Sequence, residues 1–270
     1  MLRKYSNSRT LEDNIKLGSL TAFSAGMANI ASLLIFFSFS SNVTGYYAIL
    51  SAEIIKGDFY KAAVVMAWIS LFFMGSFLSN FIVIHFNREN TYIAHAVPII
   101  IEIACLFTVG IYGLYFYEET LAETEILLAL MLFAMGLQNG LTASISNFAV
   151  KTTHLTGATT DLAILFSMFT KKEYRDNKEL IGKAKLLVAI FLSYILGAIV
   201  SGLLYDQIQF KLFFIVCLFL IVVIFYDYSK ARLLLKYKST NVKIRREIIK
   251  PFKTNLAYNV NEKQEDTVTT

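Results

Sequence analysis

Charge is what this sequence is short of. Only 17% of its 270 residues are Asp, Glu, Lys or Arg, 56% are hydrophobic, and the mean hydropathy is +0.56. That balance excludes an ordinary soluble domain, in which roughly 25% of residues are charged. Cysteine is also scarce. Cys105 and Cys217 both lie in apolar sequence and read as small packing residues rather than a disulfide. No set of His, Cys and carboxylate residues has metal-ligand spacing, so neither a metal nor another cofactor is expected. The sequence has no phosphate-binding glycine loop, no Gly-x-Ser-x-Gly elbow and no His-Glu-x-x-His pair. None of the three histidines, His85, His95 and His154, has an evident nucleophile partner. No enzymatic activity is expected.

What the chain has instead is long apolar runs, at about 17–40, 61–84, 93–117, 124–150, 186–206 and 210–228. About 20 apolar residues span the hydrocarbon layer as a helix, and a helix satisfies its own backbone there. The runs are continuous rather than alternating, which argues against a β-barrel. The expected fold is therefore all-α, a polytopic membrane protein with six transmembrane helices. The first run follows Arg3, Lys4, Arg9 and Lys16, but it is too long for a signal-peptide core and more spans follow. It reads as an uncleaved anchor.

Basic residues set the expected orientation. With the N-terminus in the cytoplasm, 22 of the 25 Lys and Arg fall in cytoplasmic segments, and only Lys56, Lys61 and Lys211 fall outside. Both ends are thus expected in the cytoplasm. The net charge of +5 then reports topology and does not imply a nucleic-acid partner. Residues 230–253 hold nine Lys and Arg against one acid, Glu247. Beside a bilayer such a segment attracts anionic lipid head groups by about 1 kcal/mol per basic residue. The plainer reading is a topology signal with a solvated basic tail. Residues 254–270 are polar and expected to be disordered.

An internal repeat is visible. Phe23 to Asn29 aligns with Phe133 to Asn139, and Asn42-Val43-Thr44-Gly45 aligns with His154-Leu155-Thr156-Gly157. Met74-Gly75 and Ser79 match Leu196-Gly197 and Ser201, while Ile103 to Phe107 matches Ile215 to Phe219. Residues 17–117 and 124–228 are then two three-helix repeats, between an N-terminal segment 1–16 and a basic tail 229–270. Three spans is an odd number, so the second copy enters the membrane from the opposite side, as in many secondary transporters.

Polar groups within the apolar sequence are the candidate site. The pieces after Thr44-Gly45 and Thr156-Gly157 are too short to span, and interrupted or partly re-entrant helices are expected there. N–H groups at a half-helix start favour anionic or electron-rich atoms, although ordinary N-caps are the alternative. Asn29, Asn139 and Gln138 are expected to face the bundle interior, as interhelical bonds or as solute contacts. Glu102 and His95 lie seven apart, near one helical face, and such a pair can carry protons. Asp161 is placed to cap a helix or to line a cytoplasmic entrance.

The run Met135 to Gly140, followed by Lys151 to Leu162, resembles the signature of the YoaK-like family, domain of unknown function 1275. The resemblance covers roughly residues 15–228. It implies a multi-pass protein of the bacterial cytoplasmic membrane with six spans, and it supplies no substrate. Family members usually carry Asp at the position of Asn29. The function expected is a permease for an unidentified small solute, with Asn29, Asn42, Thr44, Gly45, Gln138, Asn139, His154, Thr156, Gly157 and Asp161 along its pathway. The alternative is a non-transporting scaffold, assembly factor or lipid-associated sensor, and oligomerisation is left open.

Overall fold

The computed structural model describes residues 9–225, which are helical without a strand among them. The basic segment 230–253 and the tail lie outside the described residues. The helices are α1 (Leu11–Phe36), α2 (Val43–Lys56), α3 (Phe59–Phe86), α4 (Thr91–Tyr115), α5 (Leu121–Ile145), α6 (Leu155–Met168), α7 (Lys172–Arg175), α8 (Lys178–Ile208) and α9 (212–225). Five apolar stretches are long enough to cross a membrane, the fifth running Lys178–Phe225. Gln209, with φ 41°, breaks that stretch into α8 and α9. This gives the sixth of the expected runs.

Side-chain chemistry explains the helix starts. Thr10 caps α1 and Thr120 caps α5, each through a reciprocal capping box, with Asp13 and Glu123 respectively. The first helix therefore begins at Leu11 and ends at Phe36, some residues ahead of the apolar run 17–40. Asp58, Asn90 and Asn177 cap α3, α4 and α8 with side-chain acceptors. Gly57, at φ 78°, closes α2 and lets α3 turn back along it.

Contacts fix the helix directions. Gly197 of α8 lies against Phe23 of α1, Ser201 donates to the Met27 carbonyl at 3.0 Å, and Tyr205 donates to the Leu34 carbonyl at 3.0 Å. These two helices are parallel. So are α3 and α5, through Tyr60 with Glu125, Ser76 with the Gly136 carbonyl, and Asn80 with Ser144. Helix α4 is antiparallel to α5, by Tyr112 with Glu123 and Glu102 with Gln138. It is also antiparallel to α9, by Tyr92 with Ile224 and Phe107 with Phe214. Phe23 on Phe219, and Phe36 on Phe210 in the turn just before α9, make α1 antiparallel to α9. Thus α1, α4 and α8 run one way and α3, α5 and α9 the other.

Glycine permits the two parallel pairs to close. A Cβ on Gly26 would collide with the Tyr194 carbonyl oxygen, and one on Gly197 with that of Phe23. Likewise Gly136 meets the Phe72 carbonyl and Gly75 that of Phe133. Close approach through small residues is how helices associate where lipid removes the hydrophobic drive. Helices α1 and α5 are central, with 61% of the apolar window of each buried, against 28% for α3 and 33% for α4. Met27, Leu106, Met131, Met135 and Phe213 are fully or almost fully buried in one shared core. Phe73, Phe77, Phe107 and Leu203 are exposed, as a lipid-facing surface requires.

The matched pentads of α4 and α9 lie side by side: the Cys217 thiol donates to the Ile103 carbonyl at 3.5 Å, and Phe107 packs on Phe214.

Candidate functional site

Asn29 lies seven residues before the end of α1, and Asn139 six before the end of α5. At 1.5 Å per residue both are about 10 Å below their helix ends. After each helix the chain folds back to that depth. Ser40 and Ser41 donate to the Asn29 Oδ1 at 3.2 and 3.1 Å. Thr152 Oγ1 and the Thr153 N–H donate to the Asn139 Oδ1 at 3.1 and 3.3 Å. Each asparagine thus holds the turn that precedes a 14-residue half-helix, α2 or α6. Tyr46 packs edge-on against Trp68, the tenth residue of α3, and Val43 and Phe72 pack on the same apolar cluster, so α2 starts partway along α3. The expected interrupted segments are present as these two half-helices.

Their starts face one cavity of about 890 Å³, lined by Asn29, Asn42 and Thr44 from the first half of the chain and by Asn139, His154 and Thr156 from the second. Gly157 also lines it, whereas Gly45 sits beneath Asn42 and is not part of the wall. Both glycines are needed locally. A Cβ on Gly45 would meet the Asn42 carboxamide, and one on Gly157 the His154 imidazole. Asn42 caps its helix by accepting from the Gly45 N–H at 3.2 Å. His154 makes no side-chain cap bond, so the first N–H groups of α6 gain no acceptor from it.

The cavity is unequal about this centre. It continues along the C-terminal halves of α3 and α5, past Ser76, Asn80, Ala143 and Ser144 to Phe148 and Lys151. From α1 and α8 only Asn29 and Tyr194 contribute. Lys151 is the one Lys or Arg in the wall, and no Asp or Glu lines it among the described residues. The chemistry on offer is therefore amides, hydroxyls, helix-start N–H groups and a single ammonium.

The remaining sequence candidates lie off the cavity. Gln138 is buried behind Asn139, where its Nε2 donates to Ser24 Oγ and Glu102 Oε1, both at 2.9 Å. Glu102 and His95 are both fully buried on α4. Asp161 is the seventh residue of α6, so it caps nothing; it pairs with Lys183 at 3.0 Å. Sequence reading missed Tyr194, whose hydroxyl accepts from Asn29 Nδ2 at 2.6 Å. The aligned position in the first half is Phe72, so the repeat gave no signal for it. Ser41 and Thr153 share the 112-residue offset of the Thr-Gly motifs, and that offset was the signal available for them.

A bundle of long apolar helices around a polar central cavity defines a polytopic helical membrane protein. The chain belongs to the DUF1275 family, described as proteins of unknown function, whose model matches residues 17–226. No curated protein and no solved structure matches the chain.

Proposed function

We propose that this chain is a permease of the cell membrane, built as two inverted three-helix repeats with both ends in the cytoplasm. The reading rests on one observation: Asn29 and Asn139, with the half-helix starts that each holds, line a single cavity. Three further relationships support it. The capping boxes of α1 and α5 share an offset of 110, as do Gly26 and Gly136. The contacts of Gly26 with Tyr194 and of Gly197 with Phe23 map onto those of Gly136 with Phe72 and of Gly75 with Phe133. Finally, α1 runs opposite to α5, α3 opposite to α8, and α4 opposite to α9.

Two similar halves of opposite direction can exchange conformations around a fixed central site, which gives alternating access. The unequal cavity fits the state open on the side of the α3 and α5 C-termini, the cytoplasmic side by the basic-residue rule. The solute is small and polar. Helix-start N–H groups and Lys151, with no acid in the described wall, favour an anionic or electron-rich group.

The test is thiol accessibility. In a Cys105→Ala, Cys217→Ala background, single cysteines replace Asn29, Asn139, Lys56 and Glu173, and intact cells and inverted vesicles are treated with an impermeant thiol reagent. Labelling of the Asn29 and Asn139 positions from both faces supports the pathway. Lys56 and Glu173 lie outside the cavity, exposed at the far end of α2 and in α7, and if both react from the same face the inverted repeat is sunk. If neither asparagine position reacts from either face, these side chains are structural ties and transport through this cavity is refuted.

A further inference from the structure

The most unusual buried group in the molecule is Glu102. It is fully buried in the middle of α4, and no ion pair involves it among the described residues. Its Oε1 accepts one bond, from Gln138 Nε2 at 2.9 Å, while its Oε2 is buried with no hydrogen-bond partner there. An intramembrane carboxylate left in that condition is costly and is retained where it has work to do. The surroundings indicate what that work is. Gln138 Oε1 accepts from Thr152 Oγ1 at 3.3 Å, and the same hydroxyl lies 3.1 Å from Asn139 Oδ1. Asn139 Nδ2 in turn donates to Thr153 Oγ1 at 2.9 Å, and both Asn139 and Thr153 line the cavity. One chain of amides and hydroxyls therefore joins the buried carboxyl group to the cavity wall, and to the turn that sets the start of α6.

We propose that Glu102 binds and releases a proton during the conformational cycle, and that Gln138, Thr152 and Asn139 transmit this event to the cavity. The inference rests on the permease reading and adds the coupling ion to it. The proton is taken from water and returned to water. An O–H bond forms at Oε2, the carboxylate becomes a carboxylic acid, and no electrons are exchanged. In the ionised form both oxygens only accept, and Gln138 is drawn to Oε1. In the protonated form Oε2 becomes a donor, the pull on the Gln138 amide weakens, and that amide is released to its bonds with Ser24 and Thr152. The groups facing Glu102 from α1 and α5 are Ser24 and Gln138, neither of which titrates. The titratable neighbours that sense its charge are the thiols of Cys105 on α4 and Cys217 on α9. His95 lies two turns earlier on the same helix. Because the network ties α1 and α4 of the first half to α5 and Thr152 of the second, a change at Glu102 acts at the joint on which alternating access turns.

The experiment uses the full-length protein with Cys105→Ala, Cys217→Ala and a single cysteine at Ala143, a cavity-wall position without a side-chain hydrogen bond. Its labelling rate in inverted vesicles is divided by that of a cysteine at Glu173, an exposed position in α7, which removes the ordinary rise of thiol reactivity with pH, and the comparison with Glu102→Gln removes what the field of Lys151 adds at position 143. The expected result is a ratio that changes by about fivefold or more between mildly acidic and mildly alkaline pH, the size of a typical coupling. Glu102→Gln should flatten that dependence, and Glu102→Asp should keep it with a displaced midpoint. A flat ratio in the parent protein, or an unaltered dependence in Glu102→Gln, overturns the coupling. If Glu102→Gln does not fold, infrared difference spectra of the parent carry the test. A carboxylic-acid carbonyl band must appear and disappear with pH and be absent from Glu102→Asp at the same frequency; a band indifferent to pH overturns the proposal. A position 143 cysteine that never reacts refutes the pathway itself, whereas one that reacts with no pH dependence refutes only the role of Glu102.

Discussion

Asn29 donates to the Tyr194 hydroxyl at 2.6 Å, joining two helices 165 residues apart in sequence. Asn139 has no such partner from α3, because the aligned residue there is Phe72, and its Nδ2 turns to the Met135 carbonyl and Thr153 instead. The two asparagines, matched in sequence at an offset of 110, are thus held by different means. Tyr194→Phe should leave the Asn29 amide short of an acceptor and cost about 1 kcal/mol. In a protein of this size that lowers Tm by roughly 2–4 °C, measurable by thermal unfolding in detergent. An unchanged Tm would show that the bond carries no net stability.

Packing at the parallel pairs makes a sharper prediction. A Cβ on Gly26, Gly75, Gly136 or Gly197 meets a backbone carbonyl of the partner helix, which cannot swing aside. Each Gly→Ala change should cost about 1–3 kcal/mol by overpacking, and Gly26→Ala with Gly197→Ala should abolish the monodisperse peak in detergent size-exclusion chromatography. Gly202 provides the contrast. It lies in α8 with nothing within 4 Å of an added Cβ, so Gly202→Ala should be neutral or stabilise by up to about 1 kcal/mol through helix propensity. Equal behaviour at Gly202 and Gly197 would refute the close-packing account.

Much of this was legible in the sequence. Apolar runs gave the long helices because hydrocarbon thickness dictates their length, and the Thr-Gly motifs marked the starts of α2 and α6 because a helix broken inside the membrane needs glycine and polar caps. Boundaries were less legible. Thr10 with Asp13 starts α1 ahead of its apolar residues, a capping signal that hydropathy does not carry. The Tyr194 bond and the chain from Glu102 to Asn139 were not legible at all. Both depend on which residues of remote helices face each other, and sequence offset finds such pairs only where the matched positions carry the same side chain. Asp161 misled for a related reason: its place after a Thr-Gly motif suggested a cap, but one turn further along α6 it faces Lys183.

Stability toward acid has a specific contributor outside the membrane. Asp58 caps α3, and the Lys61 backbone N–H, then the Lys61 ammonium, hold its carboxyl below the ordinary range. Its folded-state value is depressed, so the contribution is present above the unfolded value of about 4 and is lost as pH falls through the folded one. Asp58→Asn keeps a cap acceptor but removes the charge. Its unfolding midpoint should therefore show less dependence on pH below about 4 than the parent's. Parallel acid profiles for the two proteins would exclude Asp58 as the source.

The charge character of the cavity can be measured without knowing the solute. Lys151 is the single Lys or Arg in the wall, and the starts of α2 and α6 add partial positive charge beside it. A cysteine at Ala143 should react faster with an anionic thiosulfonate than with a cationic one, after correction for their rates with a free thiol. Lys151→Glu reverses the local charge and should shift that preference by roughly tenfold, since a low-dielectric cleft focuses the field of a single residue. Lys151→Gln should fall between the two, and raising the salt concentration should shrink the differences at the exposed Lys151 end first. If the preference is cationic in the parent and unmoved by Lys151→Glu, an anionic solute is ruled out. The amides of Asn29 and Asn139 would then be the groups to examine for a neutral one.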